Sequence, residues 1–366
     1  MDKKKTCISA CRMEEKDINW NEQHILGNEV HRWKGNNSMQ YIDMHCDTLA
    51  EALARKSATA ENLEGTMVDV SRLQKGGAAA QFFAMFLPQK NEPGWFGVDV
   101  MPEPEVLLEQ MYEIYQNTLK ACSSYLAPAR NYAELEANRK AGKISAFLTI
   151  ENGYLVRGKM ENIKLLYDKG VRLITLTWND PNCFGYCHSQ NAAEMRRGLT
   201  DFGREAIQYM TELGMLIDVS HLSDGGFYNV AEHARDVGKP FVASHSNCRA
   251  LCPATRNLTD EMIHILADCG GVAGLNFEPT FLNEDRSDTL SRIERMCDHV
   301  LHFIDKGGVD CVGIGTDFDG IGGQFEIEDC TGMPRLFDAL HAKGLSWDVI
   351  EKIAYENVAR VIREAL

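Results

Sequence analysis

Six residues that can hold a metal ion or carry a proton each stand just behind a short apolar run. His45 and Asp47 follow Tyr41-Ile42-Asp43-Met44, Glu151 follows Ala146-Phe147-Leu148-Thr149-Ile150, and His221 follows Met215-Leu216-Ile217-Asp218-Val219. His245 follows Phe241-Val242-Ala243, and Asp317 follows Val312-Gly313-Ile314-Gly315-Thr316. Imidazole nitrogens and carboxylate oxygens are the donors of hydrolytic zinc sites, and cobalt or manganese accept the same donors. If these runs are strands ending on one face of a barrel, the six groups converge there. The chemistry they predict is hydrolysis by metal-activated water.

The roles divide ligand by ligand. His45-Cys46-Asp47 sets an imidazole and a carboxylate two residues apart, so both point the same way along an extended strand end and can hold one metal. Glu151 can give one oxygen to each of two ions, and His221 and His245 complete the second ion's set. Two metals about 3.5–4 Å apart share a bridging water and lower its pKa enough to give hydroxide near neutral pH. Asp317 has the place to take the water's proton and hand it to a leaving nitrogen. Asp319 is its rival, though the following Gly320 puts it in a turn. Arg256, on the loop after the sixth strand, can grip a free carboxylate with both arms of its guanidinium. Taken singly, each residue has an ordinary explanation: a capping aspartate, a salt-bridged glutamate, a loop histidine, a surface arginine. Their coincidence at strand ends is what those explanations leave out.

The elements that must position these groups appear as an alternation. Strand-like runs recur near 41–46, 78–86, 144–150, 172–177, 215–219, 240–244, 271–276 and 311–316. Helix-like segments lie between them, among them 104–121, 199–213 and 259–267, where Thr259 can cap. Eight strands alternating with helices predict an α/β fold, a (β/α)8 TIM barrel. This catalytic domain spans 40–366. An insertion is expected near 88–140, where Pro88, Pro93, Gly94 and Pro102 fall, and one or two closing helices over 346–365. Residues 1–39 are polar and aperiodic, which predicts a disordered leader.

Composition removes other classes. A chain of 366 residues that is 44% hydrophobic can bury one large core. The net charge of -15 argues against a nucleic-acid surface, and no run is long and apolar enough to cross a bilayer. The basic start Met1-Asp2-Lys3-Lys4-Lys5 leads into no apolar segment, so no secretory signal and a cytoplasmic location are expected. Cys46, Cys122, Cys297 and Cys311 lie in apolar or helix-like runs and read as small buried hydrophobes rather than disulfide partners. The pairs Cys7/Cys11, Cys183/Cys187 and Cys248/Cys252 lack the closer spacing of structural zinc sites.

A family resemblance covers the chain from about residue 40 to its end. It is carried by His45-Cys46-Asp47, Gly76-Gly77-Ala78-Ala79-Ala80-Gln81-Phe82, Thr149-Ile150-Glu151-Asn152-Gly153, Asp218-Val219-Ser220-His221, Ser244-His245-Ser246, Thr255-Arg256-Asn257 and Gly315-Thr316-Asp317-Phe318-Asp319-Gly320. In that order these segments resemble the renal (membrane) dipeptidase family of zinc peptidases, family M19, in its soluble bacterial form. The resemblance implies a (β/α)8 TIM barrel of the metal-dependent amidohydrolase type, with one zinc on His45, Asp47 and Glu151 and another on Glu151, His221 and His245. It implies Arg256 on the dipeptide carboxylate, Asp317 in proton transfer, tolerance of a C-terminal D-residue, and a homodimer. Other amidohydrolases usually open with His-x-His, whereas the first strand here carries His-x-Asp. One departure stands out. Animal members place a histidine against the substrate carbonyl where this chain has Trp178, followed by Asn179. Trp178 is therefore expected beside the substrate, with His188 reaching in from farther along the loop. A related hydrolase of acylated amino acids or lactones would keep the metal residues without needing Arg256. A non-catalytic descendant would have lost a ligand or Asp317, and none is lost.

Overall fold

Eight runs of aliphatic and small residues pair side by side, all parallel, and the pairing closes on itself. In this computed structural model, which describes residues 39–89, 96 and 102–366, the strands are β1 Tyr41–Cys46, β2 Ala78–Phe86, β3 Ile144–Glu151 and β4 Val171–Thr175. They continue as β5 Leu216–Asp218, β6 Val242–Ala243, β7 Val272–Leu275 and β8 Val312–Ile314. Each pairs with the next, and β8 returns to β1 through Ile314 opposite Asp43. This is the predicted (β/α)8 barrel. The strands read as unbroken apolar runs because helices cover the outer face and side chains fill the inner one.

The barrel is plugged at one end. Ile42, Met44, Ala80, Phe82, Phe147, Leu173, Leu216, Val242 and Val272 form an inner cluster, with the rings of Phe82 and Phe147 stacked at 4.6 Å. Val358, Ala359, Val361 and Ile362 of the helix Asn357–Ala365 join that same cluster. The predicted closing segment is thus one helical path, Trp347–Glu351, a π-helical turn Lys352–Glu356, then Asn357–Ala365. It seals the end opposite the strand termini. The other end is left for chemistry.

Local signals set the helix starts. Thr259 accepts a hydrogen bond from Met262 N–H as predicted, and Thr200, Ser223 and Ser346 cap in the same way. The described part of the 88–140 interval holds the helix Pro104–Ala121, a short strand Leu126–Pro128 paired to the start of β3, and the helix Tyr132–Lys140. Leu107, Leu108, Met111, Ile114 and Tyr115 give the first of these helices a buried stripe, which fastens the segment to the barrel. The leader predicted at 1–39 lies outside the described residues apart from Met39. No helix among the described residues is long and apolar enough to cross a membrane. Every cysteine among them is a free thiol; Cys7 and Cys11 lie outside.

Ile362 is fully buried against the barrel interior. Ile362→Ala is expected to cost about 2–5 kcal/mol of stability in denaturant unfolding. A loss under about 1 kcal/mol would mean that this helix does not seal the barrel.

Candidate metal centre

A slip in the β1–β2 register between Asp43 and Cys46 turns the last residues of β1 toward the barrel mouth. His45 arrives there buried. Asp47 is not on the extended strand end that its spacing predicts: it sits at the start of the helix Thr48–Ala54, with its N–H donating to Phe318 O. Its carboxylate still faces the imidazole, Oδ2 lying 3.3 Å from His45 Nε2. Glu151 ends β3, and its two oxygens face different neighbours. Oε2 is 3.6 Å from His45 Nε2, while Oε1 is 3.1 Å from His221 Nε2 and 3.7 Å from His245 Nε2. Asp317 Oδ1 is 3.7 Å from His45 Nε2.

These residues fit metal ions better than they fit one another. His45 Nδ1 and Nε2 and Asp47 Oδ1 are buried with no hydrogen-bond partner, a costly state for polar atoms. Burial lowers the affinity of His45 for a proton, but Glu151 and Asp47 more than reverse this and hold its pKa well above the usual value. Burial pushes Glu151 up to about 6 and Asp317 up to about 8. Acids that cling to protons around a histidine that does the same are short of positive charge. The sets His45, Glu151, His245 and His45, Asp47, Asp317 each bring donor atoms within 4.8 Å of one another.

The other two histidines are prepared as neutral donors. Burial, reinforced by Arg256 and neighbouring imidazoles, holds His221 and His245 well below the ordinary histidine pKa. Ser244 Oγ donates to Asp218 Oδ2 at 2.5 Å, so it accepts from His245 Nδ1–H at 2.7 Å and Nε2 is left bare. His221 Nδ1 lies 3.1 Å from Asn179 Oδ1. The two Nε2 atoms then face each other at 3.1 Å. Lone pairs so placed call for a cation between them.

Several supporting residues escaped the reading of the sequence. Asp218 also accepts from Ser220 N–H, Ser244 N–H and Thr175 Oγ, and so ties β4, β5 and the end of β6 together. Asp43 accepts from Thr316 N–H and Oγ, fastening β1 to the end of β8. Asn276 Nδ2 donates to Asp317 Oδ2 at 2.8 Å and to His245 O at 3.1 Å. A charged residue inside an apolar strand, as Asp43 and Asp218 are, was the available signal. Asp319 accepts from Thr48 Oγ and Met67 N–H, so its carboxylate anchors a loop while Asp317 faces the histidines.

Backbone strain gathers at the same rim. Asn152, His221, Asp317 and Asp319 all have left-handed φ between 62° and 72°. Each costs on the order of 1–3 kcal/mol and survives only where its surroundings enforce it. Gly320 is enforced by space, because a Cβ there would lie 2.2 Å from Asp47 Oδ2 and 2.8 Å from Asp317 Oδ1.

A cavity of about 610 Å³ opens above these groups. Arg256 is buried in its wall, with its guanidinium over the Phe281 ring, one arm donating to His245 O at 3.2 Å, and Nε unpartnered. Burial brings its pKa down to about 10, against the pull of Asp317 and Glu151, so it keeps its charge at neutral pH. Trp178 lines the cavity edge-on to Phe86 at 5.0 Å. His188 lines it too, but both of its nitrogens are engaged, Nδ1 with Thr255 Oγ and Nε2 with Asn179 Oδ1, each at 2.9 Å.

Gly320→Ala is expected to displace Asp47 and weaken uptake of divalent ions while the fold persists. Zinc at 100 times its Kd should stabilise chelator-stripped wild type by about 2.7 kcal/mol, and the variant by clearly less at the same concentration. Equal stabilisation in thermal unfolding would contradict this.

Comparison with known proteins agrees with the geometry. Residues 36–366 match the family model of membrane dipeptidase, peptidase family M19. A Schizosaccharomyces pombe protein described as an uncharacterized dipeptidase is 32% identical over 314 residues, 82% of this chain and 73% of its own. The crystal structure of a metallo peptidase from Rhodobacter sphaeroides, liganded with a phosphinate mimic of the dipeptide L-Ala-D-Ala, is 27% identical with a TM-score of 0.79, covering 90% of this chain and 100% of that one. A second solved structure, a dipeptidase of family M19, is 28% identical with a TM-score of 0.78, covering 89% and 98%. The chain belongs to the membrane dipeptidase family, peptidase family M19, and is a metallo-dipeptidase of that family.

Proposed function

We propose that this enzyme hydrolyses free dipeptides with two zinc ions, one held by His45, Asp47 and Glu151 and the other by Glu151, His221 and His245. The observation that carries this reading is the division of Glu151, whose two oxygens face separate histidines. Cobalt or manganese suits the same donors. When bound, the ions supply Lewis acidity and an activated water. The chain's own groups do the rest.

Arg256 reads the C-terminal carboxylate. Its charge is buried, its Nε has no partner, and a bidentate pair with a carboxylate would meet both needs. Asp317 carries the proton. Asn276 holds its Oδ2, which leaves Oδ1 toward the centre to take a proton from the attacking water and return it to the leaving nitrogen. Trp178 and His188 form the wall beside the substrate. The cavity's volume suits a small peptide. The ligand of the Rhodobacter sphaeroides relative, a mimic of L-Ala-D-Ala, extends the proposed substrates to dipeptides with a C-terminal D-residue. A homodimer, on family resemblance, completes the proposal.

Hydrolysis of L-L and L-D dipeptides, each beside its C-terminal amide, tests the reading. Zinc-loaded protein is expected to cleave the free dipeptides and spare the amides. Asp317→Asn should lower kcat by about 10²–10⁴-fold with bound zinc unchanged, while Arg256→Met should act chiefly by raising KM. Equal cleavage of the amides, or of acylated amino acids in place of dipeptides, would overturn the assignment of Arg256.

A further inference from the structure

We propose that the side-chain amide of Asn179 donates a hydrogen bond to the carbonyl oxygen of the scissile bond and stabilises the charge that develops there. The inference rests on the dipeptidase reading above. In the step at issue, the water oxygen bonds to the carbonyl carbon and the C=O π pair moves onto oxygen while Asp317 takes the proton. The pair then returns, the C–N bond breaks, and the nitrogen leaves with that proton. A donor already aimed at the oxygen lowers the barrier between those two events, because it need not reorganise when the charge appears.

The imidazole and guanidinium groups around the centre are committed. His45, His221 and His245 offer lone pairs in that reading, Arg256 meets the carboxylate, and His188 uses both ring nitrogens. Asn179 lines the cavity on the loop after β4, with only its oxygen engaged. Its Oδ1 lies 2.9 Å from His188 Nε2 and 3.1 Å from His221 Nδ1, and its Nδ2 makes no hydrogen bond among the described residues.

Which end of the amide faces the histidines follows from chemistry. His221 Nε2, 3.1 Å from Glu151 Oε1, has to keep its lone pair for metal, so the proton sits on Nδ1 and needs an acceptor. That acceptor is Oδ1. On His188, Thr255 Oγ can donate to Nδ1, leaving Nε2–H to donate to the same oxygen. Two N–H groups converging on one oxygen hold the amide plane and leave both Nδ2 protons for the cavity. The placement also suits the substrate. Asn179 follows β4, His221 follows β5 and Arg256 follows β6, so a dipeptide whose carboxylate meets Arg256 and whose carbonyl lies over the centre has Asn179 beyond it along the rim.

Asn179→Ala and Asn179→Asp separate donation from mere support of His221. The aspartate keeps an acceptor for both histidines and removes the donor. Both variants are expected to bind as much zinc as wild type, to lose about 10²–10³-fold in kcat with little change in KM, and to bind a phosphinate dipeptide mimic more weakly by a similar factor. An Asn179→Asp protein that turns over like wild type, or a loss of activity in Asn179→Ala matched by loss of zinc, would overturn the proposal. Wild-type zinc-loaded protein that leaves dipeptides intact would instead fail the underlying dipeptidase reading, and this proposal with it.

Discussion

Glu151 is buried between two sets of nitrogen donors, with one oxygen toward His45 and the other toward His221 and His245. A carboxylate in that position is stable only if positive charge meets both oxygens, and burial, with Asp47 close by, pushes its pKa up to about 6. Protons could satisfy part of the demand. A proton held by Nε2 of His45 among three carboxylates within 3.7 Å still leaves His45 Nδ1 and Asp47 Oδ1 buried without partners. The donors gathered at the barrel mouth therefore call for cationic charge, and the rest of the fold reads as the means of holding them together.

The barrel supplies the means in layers. Its far end is closed by apolar side chains and the last helix, which leaves the strand termini free to carry polar groups. Beneath the donors, Asp43 and Asp218 bind backbone and hydroxyl donors from neighbouring strands, so the strand ends are tied to one another where sheet pairing has stopped. Close approach is then a matter of space. A Cβ on Gly315 would lie 1.7 Å from Ser244 O, so the ends of β6 and β8 meet only because that position has no side chain. The left-handed backbone at His221 and Asp317 is the remaining local cost of aiming those side chains inward.

The fold was legible because each barrel strand is buried on both faces and so appears as an apolar run, with its chemistry at the terminus. His45, Glu151, His221, His245 and Asp317 could be named on that ground, and Thr259 as a cap from its acidic neighbours. What stayed hidden depends on contacts between loops. Asn276 meets Asp317 across 41 residues and Asn179 meets His221 across 42, and no local period records either. His188 lines the cavity, but Thr255 and Asn179 take both of its nitrogens, which nothing in the sequence records. Asp47 reads in the sequence as a strand end, whereas its C=O already accepts from Ala50 and Glu51 N–H and so opens a helix.

The central claim is that Glu151 is shared by two metal ions. Anomalous diffraction at the zinc edge, from crystals grown with excess zinc, addresses it directly. The account predicts two peaks, one among His45, Asp47 and Glu151 Oε2 and one among Glu151 Oε1, His221 and His245. A single peak, or two of which only one touches Glu151, would contradict it.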